Sequence, residues 1–253
     1  MCNFICTEKF IEYEDKKIYG RVYSPQVDSK VPIVIFSHGY NGTSDSFDLY
    51  GEFLASNGIA AYCFDFCGGS VNSRSSLKTT EMTVFTEIND LKAVIENIKD
   101  WINIDKNNIF LFGESQGGFV TALTVEEYIE EIRGVILLYP AFCIPDNWTE
   151  KYKDIYSIPK EVPFWGMTLG EEFIKAIYDF NIKKHIGKYE NNILILHGDK
   201  DVIVPEKYSL DIAKEYKNSN VVIFPGEEHG FSEEGSKEVM NMVVKFVNEN
   251  HKK

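Results

Sequence analysis

Six apolar runs with almost no polar interruption, VPIVIFS, IAAYCFDF, NIFLF, GVILLY, NILILH and NVVIF, recur along the chain. A strand with one wet face alternates apolar and polar residues, so runs without alternation must be covered on both faces, as in a parallel sheet between helices. The intervals carry the helices. The clearest pattern spans 83 to 102, where Val84, Ile88, Leu91, Val94, Ile98 and Trp101 recur at three- and four-residue steps. Others lie at 47–57, 116–128, 206–217 and 236–250. Strand and helix in alternation predict a doubly wound α/β sheet whose ligands bind outside the carboxyl ends of the strands. Ahead of the first run, KFIEYE and KIYGRVY alternate and predict an antiparallel hairpin over 8–24 with an Asp-Lys turn. Hairpin and runs together predict a mostly parallel, eight-stranded sheet flanked by helices.

At 253 residues and 44% apolar the chain can bury one sizeable core, so a single domain over 1–253 is expected. One interval breaks the rhythm. Ala141 to Asn191, about fifty residues between GVILLYP and NILILHG, exceeds what a crossover helix needs and reads as an inserted cap. The cap is rich in aromatics, of which Trp148, Trp165 and Phe164 are the candidates for substrate contact; Met167 to Gly170 reads as a hinge or a glycine turn.

A net charge of −13 without a Lys/Arg cluster argues against nucleic acid as a partner. The start of the sequence lacks a signal-peptide pattern, and nowhere do roughly 18 apolar residues run unbroken, so a cytoplasmic protein without membrane attachment is expected. Cys2/Cys6 and Cys63/Cys67 are spaced CxxxC, but neither pair has the second ligand pair that zinc requires, and no metal is expected. Nothing in the residues fixes an oligomeric state.

The stretch GESQGG directly follows the run NIFLF and opens a helical pattern. A G-x-S-x-G turn between strand and helix is the setting of a nucleophilic serine, because glycines on either side leave room for a strained turn that exposes Oγ. Ser115 is therefore the candidate nucleophile, and it needs a base and an orienting acid. Of the five histidines, His251 lies in the charged tail, His185 in the cap among lysines, and His38 and His197 in HG pairs where loop hydrogen bonding is the usual role. His229, in GEEHGF after the last run, falls at the same sheet edge as Ser115. The loop HGDKDVIVP offers Asp199 and Asp201, one to orient the histidine and the other to cap a turn. For an oxyanion, the N–H of Gln116 opens the helix after the turn, and the N–H of Tyr40 lies in the SHGYNGT loop.

SHGY, GESQGG, HGDKDVIVP and GEEHG together resemble the α/β-hydrolase superfamily over essentially the whole chain. The N-terminal hairpin, the single cap and HGDKDxxVP are most similar to bacterial feruloyl and cinnamoyl esterases. That resemblance implies Ser115 as nucleophile, His229 as base, Asp201 as acid and the amides of Tyr40 and Gln116 as oxyanion hole. It also implies cofactor-free hydrolysis of carboxylic esters, with the cap forming much of the acyl pocket; the aromatic cap makes small or aromatic acyl esters the expected substrates. The chain departs from that pattern at CGGSVNSRSS, where many relatives carry Gly-His-Gly-x-Ser, and Asp65 just before it is expected to hold this loop. An exopeptidase or thioesterase using the same residues is the alternative enzyme. A catalytically silent ligand-binding relative is the alternative outside catalysis.

Overall fold

The computed structural model describes residues 3–252. Among these residues eight strands form one sheet: β1 (Phe4–Tyr13), β2 (Lys16–Pro25), β3 (Val31–Ser37), β4 (Ala60–Phe64), β5 (Ile104–Glu114), β6 (Ile132–Leu138), and two more after residue 191. Between β6 and those two lies a separate hairpin of β7 (Glu161–Phe164) and β8 (Met167–Gly170); the closing strands are β9 (Asn192–Gly198) and β10 (Ser219–Phe224). The order across the sheet is β1-β2-β4-β3-β5-β6-β9-β10, antiparallel from β1 to β4 and parallel thereafter. The hairpin and the six apolar runs thus supply all eight strands.

Two layers of helices cover it. On one face α1 (Asp48–Ser56) and the last helix, Glu233–Asn250, pack with Val34 and Phe36 of β3. On the other, α2 (Val84–Ile98), α3 (Gln116–Thr124) and the helix at Lys207–Ala213 pack with Ile33 and Ile35. One strand thus feeds two cores by its period of two. The segment between β6 and β9 adds α4 (Ile144–Lys151) and α5 (Glu171–Ile177), so the two later helices are α6 and α7.

Three local expectations are corrected. The turn joining β1 and β2 is Glu14-Asp15 rather than Asp-Lys, with Glu14 in the left-handed region at φ 52°. Helix α2 stops at Ile98, leaving Trp101 outside it, where its ring meets Tyr62 edge-on at 5.3 Å. Met167 to Gly170 is a paired strand, not a hinge, and Gly170 is small because a Cβ there would strike the carbonyl of Thr80. Residue 2 of the Cys2/Cys6 pair lies outside the described residues, whereas Cys63 and Cys67 are buried free thiols.

Register sets the site. Ser37 pairs with Gly113, Glu114 with Leu138, and Gly198 with Phe224, so the parallel strands end in one row. The loops after β3, β5, β6, β9 and β10 therefore emerge along one edge.

Candidate active site

Ser115 lies between β5 and α3 at φ 52°, ψ −117°, a conformation that costs a residue with a Cβ of order 1–3 kcal/mol. The neighbouring glycines make the turn feasible. A Cβ on Gly117 would press on the carbonyls of Ser37 and His38, the latter at 2.5 Å, and one on Gly113 would meet the carbonyl of Gly117 at 2.5 Å. The turn is held by the Ser115 N–H donating to Leu138 O at 3.0 Å, and Ala141 N–H donates to Ser115 O at 2.9 Å.

Ser115 Oγ lies 3.0 Å from His229 Nε2, and His229 Nδ1 lies 2.7 Å from Asp201 Oδ2. The carboxylate fixes the tautomer: Nδ1–H donates to Asp201, leaving Nε2 free to accept the serine proton. Asp201 is itself fixed, since Oδ1 accepts the amides of Ile203 at 2.9 Å and Val204 at 2.8 Å. Burial would raise its pKa, but hydrogen bonds from His197, His229 and the Val204 amide outweigh this and hold it well below the ordinary carboxylate range. The other aspartate of the loop, Asp199, accepts the Gly226 amide at 2.7 Å and so ties the turn after β10. Tyr139, at φ 35°, sets its ring 4.5 Å from that of His229.

The remaining histidines stand elsewhere. His197 Nε2–H donates to Val204 O at 2.8 Å and lies 3.3 Å from Asp201 Oδ2, with Nδ1 accepting from Ser209 Oγ at 2.7 Å. His38 is buried; its Nε2 accepts the Phe66 amide at 3.0 Å and its Nδ1 donates to Gly39 O at 2.7 Å. Burial lowers its pKa and keeps the ring neutral. His185 stacks on Phe180 at 4.6 Å, and His251 lies beside Asn248 O.

Gln116 follows Ser115 in the chain, and Tyr40 follows Gly39 in the loop that passes beside the serine. Neither Tyr40 N–H nor Gln116 N–H has a backbone acceptor among the described residues, as expected at a helix N-terminus for the second. The Tyr40 loop passes close enough that a Cβ on Gly39 would touch Ser115 Cβ at 3.0 Å. Asn41 secures that loop, its Oδ1 accepting from Ser70 Oγ at 3.1 Å and from the Val71 amide at 3.0 Å. Asp65 accepts from the Ser44 amide at 2.8 Å and from Arg74 Nε at 3.0 Å, holding the CGGSVNSRSS loop as expected of it.

Beside Ser115 a cavity opens, walled by Tyr40, Cys143, Ile144, Trp148, Phe164 and Val204 among others. Trp165 stands at its edge, 61% exposed, on the two-residue turn between β7 and β8. Both turn residues are left-handed, Trp165 at φ 38° and Gly166 at φ 78°, the geometry that hairpin twist favours. Tyr40 O–H donates to Phe164 O at 2.8 Å, pinning the hairpin to the loop after β3. The three cap aromatics singled out in the sequence, Trp148, Phe164 and Trp165, thus line the same cavity as Ser115. Among the described residues no cluster of His, Cys, Asp and Glu could hold a metal ion, and no helix is long and apolar enough to cross a membrane.

Glu87 was not singled out by sequence. Glu87 is 1% exposed and its carboxylate accepts from Gln116 Nε2 at 2.8 Å, tying down a residue that lines the cavity. The available signal was a carboxylate inside the apolar stripe of α2, between Val84 and Leu91. Burial pushes its pKa up to about 8, opposed by Gln116 and reinforced by Asp90 one turn away. A folded-state pKa above the ordinary 4.5 means that the folded chain retains a proton the unfolded chain releases. Stability from this group is full below about pH 4.5 and is lost as pH rises through about 8. Glu87→Gln keeps the acceptor for Gln116 and removes the titration, so it is expected to be increasingly more stable than wild type from pH 5 to 9, by on the order of a few kcal/mol at the alkaline end. Melting temperatures of both proteins across that range check this; parallel curves would contradict it.

The fold and this arrangement of loops define an α/β-hydrolase. The chain belongs to the family described as serine aminopeptidase, S33, whose model matches residues 28–162, and a model described as TAP-like protein matches residues 174–253. Among curated proteins it is similar to the acylamino-acid-releasing enzyme of Homo sapiens, 22% identical over 219 residues, covering 83% of this chain and 30% of that protein. The rat enzyme matches over the same shares, so the chain spans less than a third of the length of these relatives. Among solved structures, Est1E from Butyrivibrio proteoclasticus with ferulic acid bound is 26% identical, with TM-score 0.86 over 96% of this chain and 98% of that one. Mouse alpha/beta hydrolase domain-containing protein 10 shares the fold at 19% identity, with TM-score 0.79 over 96% and 99% of the two chains.

Proposed function

We propose that the protein is a serine carboxylic-ester hydrolase acting on small or aromatic acyl esters through an acyl-enzyme. The observation that carries this reading is the hydrogen-bonded series Ser115, His229, Asp201 beside a cavity lined by Tyr40 and Gln116, whose backbone N–H groups have no backbone acceptor among the described residues. Ser115 Oγ attacks the ester carbonyl while its proton passes to His229 Nε2. The tetrahedral oxyanion is held by the N–H groups of Tyr40 and Gln116, each worth about 3 kcal/mol in comparable sites. Collapse expels the alcohol, protonated by His229, and a water activated by the same ring releases the acid. Asp201 stays ionised throughout and stabilises the imidazolium. No cofactor or metal enters these steps.

In this reading residues 1–253 form a single hydrolase domain in which residues 141–191 are a cap that shapes the acyl pocket, with Trp148, Phe164 and Trp165 contacting substrate. An aromatic acyl group is favoured by two supports: Est1E binds ferulic acid, and the cavity presents stacked rings, Phe164 on Trp165 at 4.7 Å and 15°. The partner is a small-molecule ester in the cytoplasm, with neither nucleic acid nor membrane involved. The test is kcat/KM for methyl ferulate against p-nitrophenyl butyrate, with Ser115→Ala as the blank. A ferulate preference that vanishes in the mutant is expected; activity on the butyrate alone would leave a short-chain esterase and remove the aromatic specificity.

The second reading is an exopeptidase, favoured by the family's description and by the acylamino-acid-releasing relatives. An ester, a thioester and an amide sharing one acyl group separate the readings, since only a peptidase cleaves the amide at a rate comparable with the ester.

A further inference from the structure

Helix α4 turns one face to the cavity beside Ser115. Ile144, Asn147, Trp148 and Lys151, spaced by three, one and three residues, all line it. Ile144 stands at the Cys143 and Val204 end, and Lys151 is seven residues further on, about 10 Å along the helix axis. The walls between are mostly apolar and aromatic, and Lys151 is the one charged side chain among the described residues that line the cavity.

The ammonium group has a defined place. Nζ lies 4.6 Å from the ring centre of Trp148, 5.4 Å from that of Phe164 and 5.7 Å from that of Tyr152, against the electron-rich faces of the three rings. No carboxylate among the described residues reaches it as a salt-bridge partner, although the chain carries 39 acidic residues against 26 basic ones. The nearest acid along this helix with a hydrogen bond, Asp146, faces away and accepts from Tyr208 O–H at 2.8 Å. A net charge of −13 repels anions in general, so an anionic substrate group would need a local cation, and the cavity supplies one beyond its apolar stretch.

We propose that Lys151 is a specificity-determining residue that selects esters carrying an anionic group at the far end of the chain bound in the cavity, such as half-esters of dicarboxylic acids. The proposal rests on the ester-hydrolase reading of Ser115. The apolar part of the chain lies against Ile144, Trp148 and Phe164, and the terminal carboxylate meets the Lys151 ammonium. Lys151 is exposed at the cavity rim, so the charge pairing is screened by solvent and acts on binding, which places its effect on KM.

The experiment compares monomethyl suberate with methyl octanoate, chains of equal length that differ in the terminal carboxylate, for wild type, Lys151→Met and Lys151→Glu. The ratio of kcat/KM for the charged over the neutral ester is expected to fall about fivefold in Lys151→Met and further in Lys151→Glu, mainly through KM. Lys151→Glu is also expected to gain on the cationic methyl 8-aminooctanoate relative to methyl octanoate. Ratios that stay within twofold across the three proteins, with methyl octanoate still hydrolysed, would overturn the role of Lys151 while leaving the esterase reading intact. Failure of wild type to hydrolyse any of these esters, with no covalent labelling of Ser115 by a fluorophosphonate, would overturn the esterase reading and this proposal with it.

Discussion

Ser115→Ala is expected to lower kcat/KM for p-nitrophenyl butyrate by about 10⁴-fold or more, because removing the nucleophile leaves only the contribution of binding and the oxyanion amides. Folding should be spared. The serine side chain makes one hydrogen bond, to His229, and alanine tolerates the turn at φ 52° no worse than serine does. A melting temperature close to that of wild type alongside the collapse in rate is the expected pair of results. Activity within a few-fold of wild type would remove Ser115 from the chemistry.

Asp201→Asn should cost a similar factor for a different reason. The Oδ1 position accepts two backbone N–H groups, from Ile203 and Val204, so the asparagine oxygen must occupy that position. The amide nitrogen then faces His229 Nδ1, where a donor forces Nδ1 to become the acceptor and moves the ring proton to Nε2. With Nε2 protonated, the ring cannot take the proton of Ser115. The same aspartate-to-asparagine change in a serine protease triad lowers kcat by about 10⁴-fold, and a loss of about that size is expected here. The variant also sets an amide against His197 Nε2–H, 3.3 Å from Oδ2 in the wild type, so a lowered melting temperature should accompany the kinetic loss. The pH-rate profile separates the two effects: a purely structural weakening would scale the whole profile, whereas the wrong tautomer changes its shape.

Much of this was legible in the residues because burial on both faces leaves a mark. Each of the strands β3, β4, β5, β6 and β9 contains an unbroken apolar run, and the loops that follow them had to share an edge. Position along the chain alone therefore placed Ser115 and His229 together. Choosing Asp201 over Asp199 from residues alone was not feasible, since both sit on one loop and only the direction of each side chain separates them. The β7–β8 hairpin left no clean signal because each strand has four residues, too short to show a period. Glu87 and Lys151 escaped for opposite reasons. Glu87 is a carboxylate concealed in an apolar helical stripe, whereas Lys151 has the sequence context of an ordinary solvated lysine in the last turn of a helix. What distinguishes both is a neighbour distant in sequence, Gln116 for Glu87 and Phe164 for Lys151.

The most direct test of Ser115 as an activated nucleophile is covalent labelling by a fluorophosphonate probe, read by mass spectrometry of the digested protein. A single adduct on the peptide containing Ser115, abolished in Ser115→Ala and slowed by orders of magnitude in His229→Ala, is the expected result. Intact, correctly folded protein that takes up no probe at Ser115, or takes it up equally well without His229, would contradict it.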